Sequence, residues 1–382
     1  MEQSITEILS NYIGNTLSDE EKARIEAERN EVDRQAAEDA QSGIKRYDQE
    51  EQDKLVRQFN PGTNNTAYYV KNLFEEDLRQ TKEATLKTGF KQLDKLTGGI
   101  HPGLYLLGAI PSLGKSTFCL QLADQVAAQG KKVLFFTLEQ TRRELVTKSL
   151  NRLAGSEHTR EQIESDPELR KRLIDEYIEM VENNLQIFDG TAIKNYAAIK
   201  GAIQANIYSK PMVIVDYLQI IVPEKSKGTL KLDLDYILSD LASIAHNNNL
   251  VILLVSSFGR SGYYLPVNFE AFKESGGIDF SGDLIAGLEL DLMENKEFVD
   301  KLGKDRERAS QILDTDEAKE QNPRKLHIKI IKNRLGGLAG QGKVYFDYYM
   351  AQDLFIERDG EADNKQNLQD PFKEARKQLK AK

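Results

Sequence analysis

From about residue 86 onward, short apolar runs alternate with stretches whose apolar residues recur at helical spacing. LYLLGA (104–109) leads into a helix-like 116–129, KVLFFTL (132–138) into 142–154, LQIFDG (185–190) into 191–207, and MVIVDYLQII (212–221) into 234–247, before VILLVSS (251–257). Strands apolar on both faces, interleaved with helices, predict a mostly parallel sheet covered on each side, an α/β domain. Three later runs read differently. LIAGLELDL (284–292), KLHIKIIKN (325–333) and KVYFDYY (343–349) alternate more and are punctuated by Gly, which predicts antiparallel additions to the sheet. Within this region, 294–325 is dense in charge and poor in apolar residues, and reads as an exposed insertion.

The flanks have another character. Residues 1–66 carry far more acidic than basic side chains and few apolar ones, which predicts a charged helical arm, in part disordered. Ser18-Asp19-Glu20-Glu21 fits a capping box at the start of its helix. The turn formers NPGTNN (60–65) end the arm. After them Tyr69, Leu73, Phe74 and Leu78 fall on one face of a short amphipathic helix within 67–85, a face that must be buried against its own domain or a neighbour. Residues 359–382 end in KEARKQLKAK and read as a basic, mobile tail.

Composition narrows the picture. In 382 residues, 40% are hydrophobic, enough for a real core. The net charge of −9 argues against a wholly basic surface but leaves room for a local basic channel. The single cysteine, Cys119, permits no internal disulfide, and the chain reads as cytoplasmic. No run approaches the roughly 18 apolar residues that span a bilayer, so no membrane partner is expected. His101, His158, His246 and His327 lie far apart and show no zinc spacing.

The chemistry concentrates in GAIPSLGKST (108–117). A phosphate loop needs GxxxxGK[ST] between a strand and a helix. Here Ala109 stands where the first glycine is usual, Gly108 precedes it, and Pro111, Ser112, Gly114, Lys115, Ser116 and Thr117 complete the frame. Successive backbone N–H groups and the helix N-terminus would face an anion. Gly114 lets the backbone come close, Lys115 would reach the β- and γ-phosphates of ATP, and the Ser116 hydroxyl would ligate Mg²⁺. A second Mg²⁺-site group is Asp216, at the end of a buried apolar strand. Glu139, at the tip of the strand after the phosphate-loop helix, is the candidate for polarising the attacking water.

Taken in order, TGFKQLDKLTGG, GAIPSLGKST, FFTLEQ, VIVDYLQ, ESGGIDFSGDLI and IIKNRLGGLAG resemble the C-terminal, RecA-like motor domain of DnaB-type replicative helicases, over 86–358. The resemblance implies an ATP-driven ring, usually a hexamer, that moves 5′ to 3′ on single-stranded DNA in replication. It implies that nucleotide binds between neighbouring copies, with Lys115, Ser116, Glu139 and Asp216 acting within one copy. Lys332 and Arg334 would then be supplied in trans, Arg334 as the arginine finger. It places the DNA loop in 257–282, with Arg260, Lys273, Glu274 and the backbone at Gly276 on the strand. Helix 67–85 takes the family's linker position, and a primase or a helicase loader is the implied partner.

Three features depart from the family's pattern. Ser257 stands where a glutamine is usual, and a serine reaches less far toward a γ-phosphate. Residues 1–66 do not resemble the family's helical N-terminal domain, and 294–325 is longer than expected. They keep two other readings in view: a RecA-like ATPase that remodels nucleoprotein without unwinding, and an assembly module that binds ATP without hydrolysing it.

Overall fold

The structure is a computed structural model, and it describes residues 86–155, 158–190, 193, 195–272, 281–300, 308–335 and 342–358. The chain divides into two units between Glu83 and Ala84. The expected arm (1–66), linker helix (67–85) and tail (359–382) lie outside the described residues.

Helix α1 (Lys91–Thr97) precedes strand β1 (Gly103–Ala109), followed by α2 (Lys115–Ala128), β2 (Val133–Thr137) and α3 (Arg142–Ala154). Then come α4 (Arg160–Ser165), α5 (Pro167–Val181), β3 (Leu185–Asp189), α6 (Tyr196–Ala205), β4 (Met212–Asp216), α7 (Leu230–Asn248) and β5 (Val251–Ser257). The last third holds β6 (Leu284–Leu290), α8 (Lys296–Asp300), α9 (Arg308–Glu320), β7 (Arg324–Asn333), β8 (Gly342–Tyr349) and β9 (Leu354–Glu357). One sheet takes all nine strands in the order β3-β2-β4-β5-β1-β6-β7-β8-β9.

Across the sheet, β3 to β6 are parallel, and β7 to β9 run antiparallel at one end. β2 and β4 are buried at every position, as strands covered on both faces must be. The pattern reading therefore holds for the α/β class. It is corrected at LIAGLELDL. β6 pairs in parallel with β1, and only its other side meets antiparallel β7. Its polar residue is turned inward: Glu289 is buried and accepts from the backbone N–H of Val267 at 2.6 Å while bonding His327 at 2.8 Å. An internal carboxylate imitates the alternation of a half-exposed strand.

α2 packs on β1 to β4, and α7 on β1 and β5. Eleven of the fourteen residues of α2 are buried, so it is a core helix with its N-terminus at the sheet's C-terminal edge. α4 and α5 fall in a stretch where the apolar pattern predicts no element. Leu169, Leu173, Tyr177 and Met180 give α5 a buried stripe, and Asp166 caps it through the N–H groups of Glu168 and Leu169. The charged segment 294–325 is tied down where it is described: Phe298 is buried, and the Gln311 side-chain amide donates to its carbonyl at 3.0 Å. Among the described residues no helix is long and apolar enough to cross a membrane.

Candidate functional site

α2 differs from its neighbours at its start. Thr141, Asp166, Asn195 and Thr229 cap α3, α5, α6 and α7 with their own side chains. Gly114 precedes α2 with φ 95° and no side chain caps it, nor does any acidic residue sit in its first turn. First-turn N–H groups without a side-chain acceptor, at the positive end of a helix dipole, suit an anion. A Cβ at Gly114 would take a left-handed conformation and come within 3.0 Å of the Tyr348 and Phe355 rings. The antiparallel strands β8 and β9 thus form the back wall of the loop.

Lys115 turns back along the loop, donating to the carbonyls of Ala109 and Ile110 at 3.1 Å each. Burial lowers its pKa, against the opposing pull of Asp216 and Glu139. Asp216 ends β4 at 2% exposure. Burial raises its pKa, while the hydrogen bond from Ser116 and the charge of Lys115 work the other way. Glu139 is exposed just past the end of β2, and its charge acts on both Lys115 and Asp216. Thr137 of β2 and Asp216 of β4 are register partners, which is why these two strand ends share one edge. The structure therefore gathers Lys115, Ser116, Asp216 and Glu139. No group of three or more His, Cys, Asp or Glu side chains forms a metal cage among the described residues. Ser116 with Asp216 is a pair of oxygen donors, not a closed site.

Lys332 and Arg334 lie elsewhere. β7 runs against β6, so Asn333 pairs with Leu284 at the start of β6, and Leu284 pairs with Tyr105 near the start of β1. The backbone N–H of Arg334 bonds the carbonyl of Asp283 at 2.9 Å, and Asp283 in turn bonds Leu104. Arg334 is exposed at this edge. Seven residues of β1 separate it from the phosphate loop, about 20 Å at strand rise.

The segment after β5 folds back on itself. Phe258 and Phe272 pair edge to face with centroids 5.1 Å apart, and Gly259 bonds Ala271 at 2.8 Å. Arg260 stands exposed in its first turn. Lys273, Glu274 and Gly276 lie outside the described residues. Gly108 lies inside β1, and what its bare backbone admits is this ring pair: a Cβ would fall 2.2 Å from Phe258 and 2.5 Å from Phe272.

Sequence reasoning missed four neighbours of the loop. Lys148 donates to the Thr117 hydroxyl at 3.0 Å, and the Tyr348 hydroxyl also bonds Thr117. Arg324 donates to the carbonyl of Ser112 at 2.6 Å. Gln219 donates to Ser256 at 2.8 Å and accepts from the N–H of Ser257 at 3.2 Å, linking the turn after β4 to β5 where the resemblance implies a glutamine at 257. Gln219 is visible as the Q of DYLQ; the other three carry no local pattern.

Residues 85–352 match the family described as the DnaB-like helicase C-terminal domain. The chain belongs to this DnaB-like family. It is 29% identical over 227 residues to the replicative DNA helicase DnaB of Haemophilus influenzae, covering 56% of this chain and 48% of that protein. With the Helicobacter pylori replicative DNA helicase DnaB it shares 24% identity over 279 residues, 69% of this chain and 54% of that one. The chain thus spans about half the length of the curated relatives it matches. The DnaB-like fold recurs in a solved structure of an isolated ATPase domain, with a TM-score of 0.58 and 21% identity, over 78% of this chain and 99% of that one. A DnaB-like replicative helicase described with its interactions with primase has the same score and identity over 80% of this chain and 70% of that one.

Proposed function

We propose that this chain is an ATP-hydrolysing helicase that assembles into a ring, with a hexamer as the working form, and translocates 5′ to 3′ on single-stranded DNA during replication in the cytoplasm. One observation carries the reading: the phosphate-loop group and Arg334 sit on opposite edges of the same sheet, about 20 Å apart. An arginine that cannot reach its own loop acts on a nucleotide held by the next copy, and a head-to-tail contact of that kind closes into a ring.

In this reading the first-turn N–H groups of α2 and the Lys115 ammonium hold the β- and γ-phosphates of ATP. Gly108, Ala109, Pro111, Ser112 and Gly114 shape the loop, with Thr117 behind it. Ser116 and Asp216 would hold a magnesium ion, which would offset phosphate charge. Glu139 takes the proton of the attacking water. Arg334 of the adjoining copy, with Lys332, stabilises charge on the transferring phosphoryl group. Lys273 and the backbone N–H near Gly276 meet the phosphates of the strand, in a loop that also carries Arg260 and lines the pore with Glu274, which positions DNA without reading its sequence. Residues 67–85 link neighbouring copies, 1–66 form a separate arm, 294–325 an insertion and 359–382 a tail. Primase, which the DnaB-like structural neighbour engages, is the partner expected here, or else a helicase loader.

Steady-state ATP hydrolysis with and without single-stranded DNA, followed by strand displacement on a forked duplex, tests this. Hydrolysis stimulated by the single strand and release of the displaced strand support it. Hydrolysis indifferent to DNA, with the fork intact, contradicts it.

A further inference from the structure

Arg324 opens β7 at the phosphate-loop edge, because β7 starts where β6 ends: Leu326 pairs with Leu290. It is 7% exposed. Its Nε donates to the carbonyl of Lys319, in the last turn of α9, at 2.6 Å, and Nη1 donates to the carbonyl of Ser112 at 2.6 Å. Nη2 lies 2.9 Å from the Met350 sulfur, and the guanidinium stands over the Tyr348 ring, 5.7 Å from its centroid. All these acceptors are neutral, and among the described residues no carboxylate pairs with Arg324.

A buried cation without a counter-charge is costly. Arg152, more deeply buried at 1% exposure, shows the ordinary solution, with the Asp124 carboxylate 2.7 Å away. Arg324 instead touches the loop read above as a phosphate site. Its hydrogen-bond acceptor, Ser112, has φ 64°, a left-handed conformation that a non-glycine residue adopts at a cost. A charged donor on the Ser112 carbonyl holds that peptide in place. It also polarises the N–H at the peptide's other end, that of Leu113, inside the loop.

We propose that Arg324 is a positioning residue of the nucleotide site: its guanidinium fixes the Ser112 carbonyl from behind the phosphate loop, and the phosphates of the bound nucleotide supply its missing counter-charge. The proposal rests on the reading of that loop as a nucleoside-triphosphate site. It makes the last turn of α9 part of the same construction, since one side chain holds both the insertion and the loop.

The test is thermal unfolding of the full chain with and without ADP or a non-hydrolysable ATP analogue, for the unsubstituted protein, Arg324→Met and Arg324→Lys. Steady-state ATPase kinetics accompany it. Methionine removes the charge and keeps the length, so Arg324→Met should unfold without nucleotide at an unchanged or higher temperature. Its nucleotide-induced rise should shrink, and KM for ATP should increase about tenfold with kcat nearly constant. Arg324→Lys, which keeps the charge, should retain most of the rise. The proposal is overturned if Arg324→Met melts lower without nucleotide yet keeps the full nucleotide-induced rise: Arg324 is then a strut whose counter-charge lies elsewhere in the chain. If the unsubstituted protein shows no rise with nucleotide, the reading of the loop fails and takes this proposal with it.

Discussion

At the edge where β1, β4 and β2 end, polar groups are bonded to one another: Asp216 to Ser116, Lys115 to two loop carbonyls, Arg324 to Ser112. At the edge where β1 begins, Arg334 stands exposed beyond the last residue of β7, with its backbone bonded to Asp283. On the proposed function the first edge is preorganised, with donors and a carboxylate fixed before substrate would arrive, which is what electrostatic catalysis requires. At the second edge the arginine is exposed rather than enclosed. In the proposed reading a single copy carries two halves of one site facing away from each other, and substitutions at the two edges should fail in different ways.

The largest effect is expected at the exposed edge. Arg334→Ala should lower DNA-stimulated kcat about 10³-fold while leaving nucleotide binding and the melting temperature close to those of the unsubstituted protein. Turnover within a fewfold of normal would break the comparison at once. At the phosphate-loop edge, Glu139→Gln should lower kcat by about 10²-fold with nucleotide still bound tightly, as read by single-turnover hydrolysis. If turnover is unaffected, another group positions the water.

Gly108→Ala probes the join between the loop and the segment proposed to meet DNA. A methyl group 2.2 Å from the Phe258 ring must displace the Phe258–Phe272 pair, at about 1–3 kcal/mol for overpacking. Denaturant unfolding should register the loss, and single strands should stimulate hydrolysis less. An unchanged midpoint would show that the rings yield freely.

The smallest effect concerns His327, on the strand joining the two edges. It is fully buried, bonding Glu289 at 2.8 Å and Asp291 at 3.0 Å, and Arg358 also bonds Asp291. Burial alone would lower its pKa, but the hydrogen bonds to Asp291 and Glu289 outweigh it and raise the value above the usual 6.5. A raised folded-state value means stability that is complete below the unfolded-state value and lost as pH climbs through the folded one. Unfolding free energy should therefore fall above about pH 6.5, by about 1.4 kcal/mol for each pH unit between the unfolded-state value and the folded one. His327→Gln should flatten this slope, and a slope identical in both proteins would assign it to other groups.

Much of this is legible in the sequence where one physical cause dominates. Burial on both faces makes β1, β2, β4 and β5 apolar runs, and the helix after the phosphate loop, expected at 116–129, begins at Lys115. The loop itself is readable because backbone geometry and anion chemistry restrict its residues to a few types. Illegible are features made by distant parts of the chain. Glu289 passes for a solvent-facing position because its partner His327 is 38 residues away. Arg324 looks like one more charge in a charged segment until β7 carries it to Ser112, 212 residues away. Gly108 reads as a phosphate-binding residue by its place in a motif, whereas the Phe258 and Phe272 rings account for its missing side chain. The opposite placement of Lys115 and Arg334 is likewise a property of strand direction, which local pattern does not encode.

The most direct measurement is ATP turnover by mixtures of Lys115→Ala and Arg334→Ala proteins. Each alone should be inactive, because every interface lacks one half of the site. Mixed and allowed to exchange, they should regain DNA-stimulated hydrolysis, since some interfaces then join an intact loop to an intact arginine. A mixture that assembles yet hydrolyses no faster than its separate components would contradict a site shared between copies.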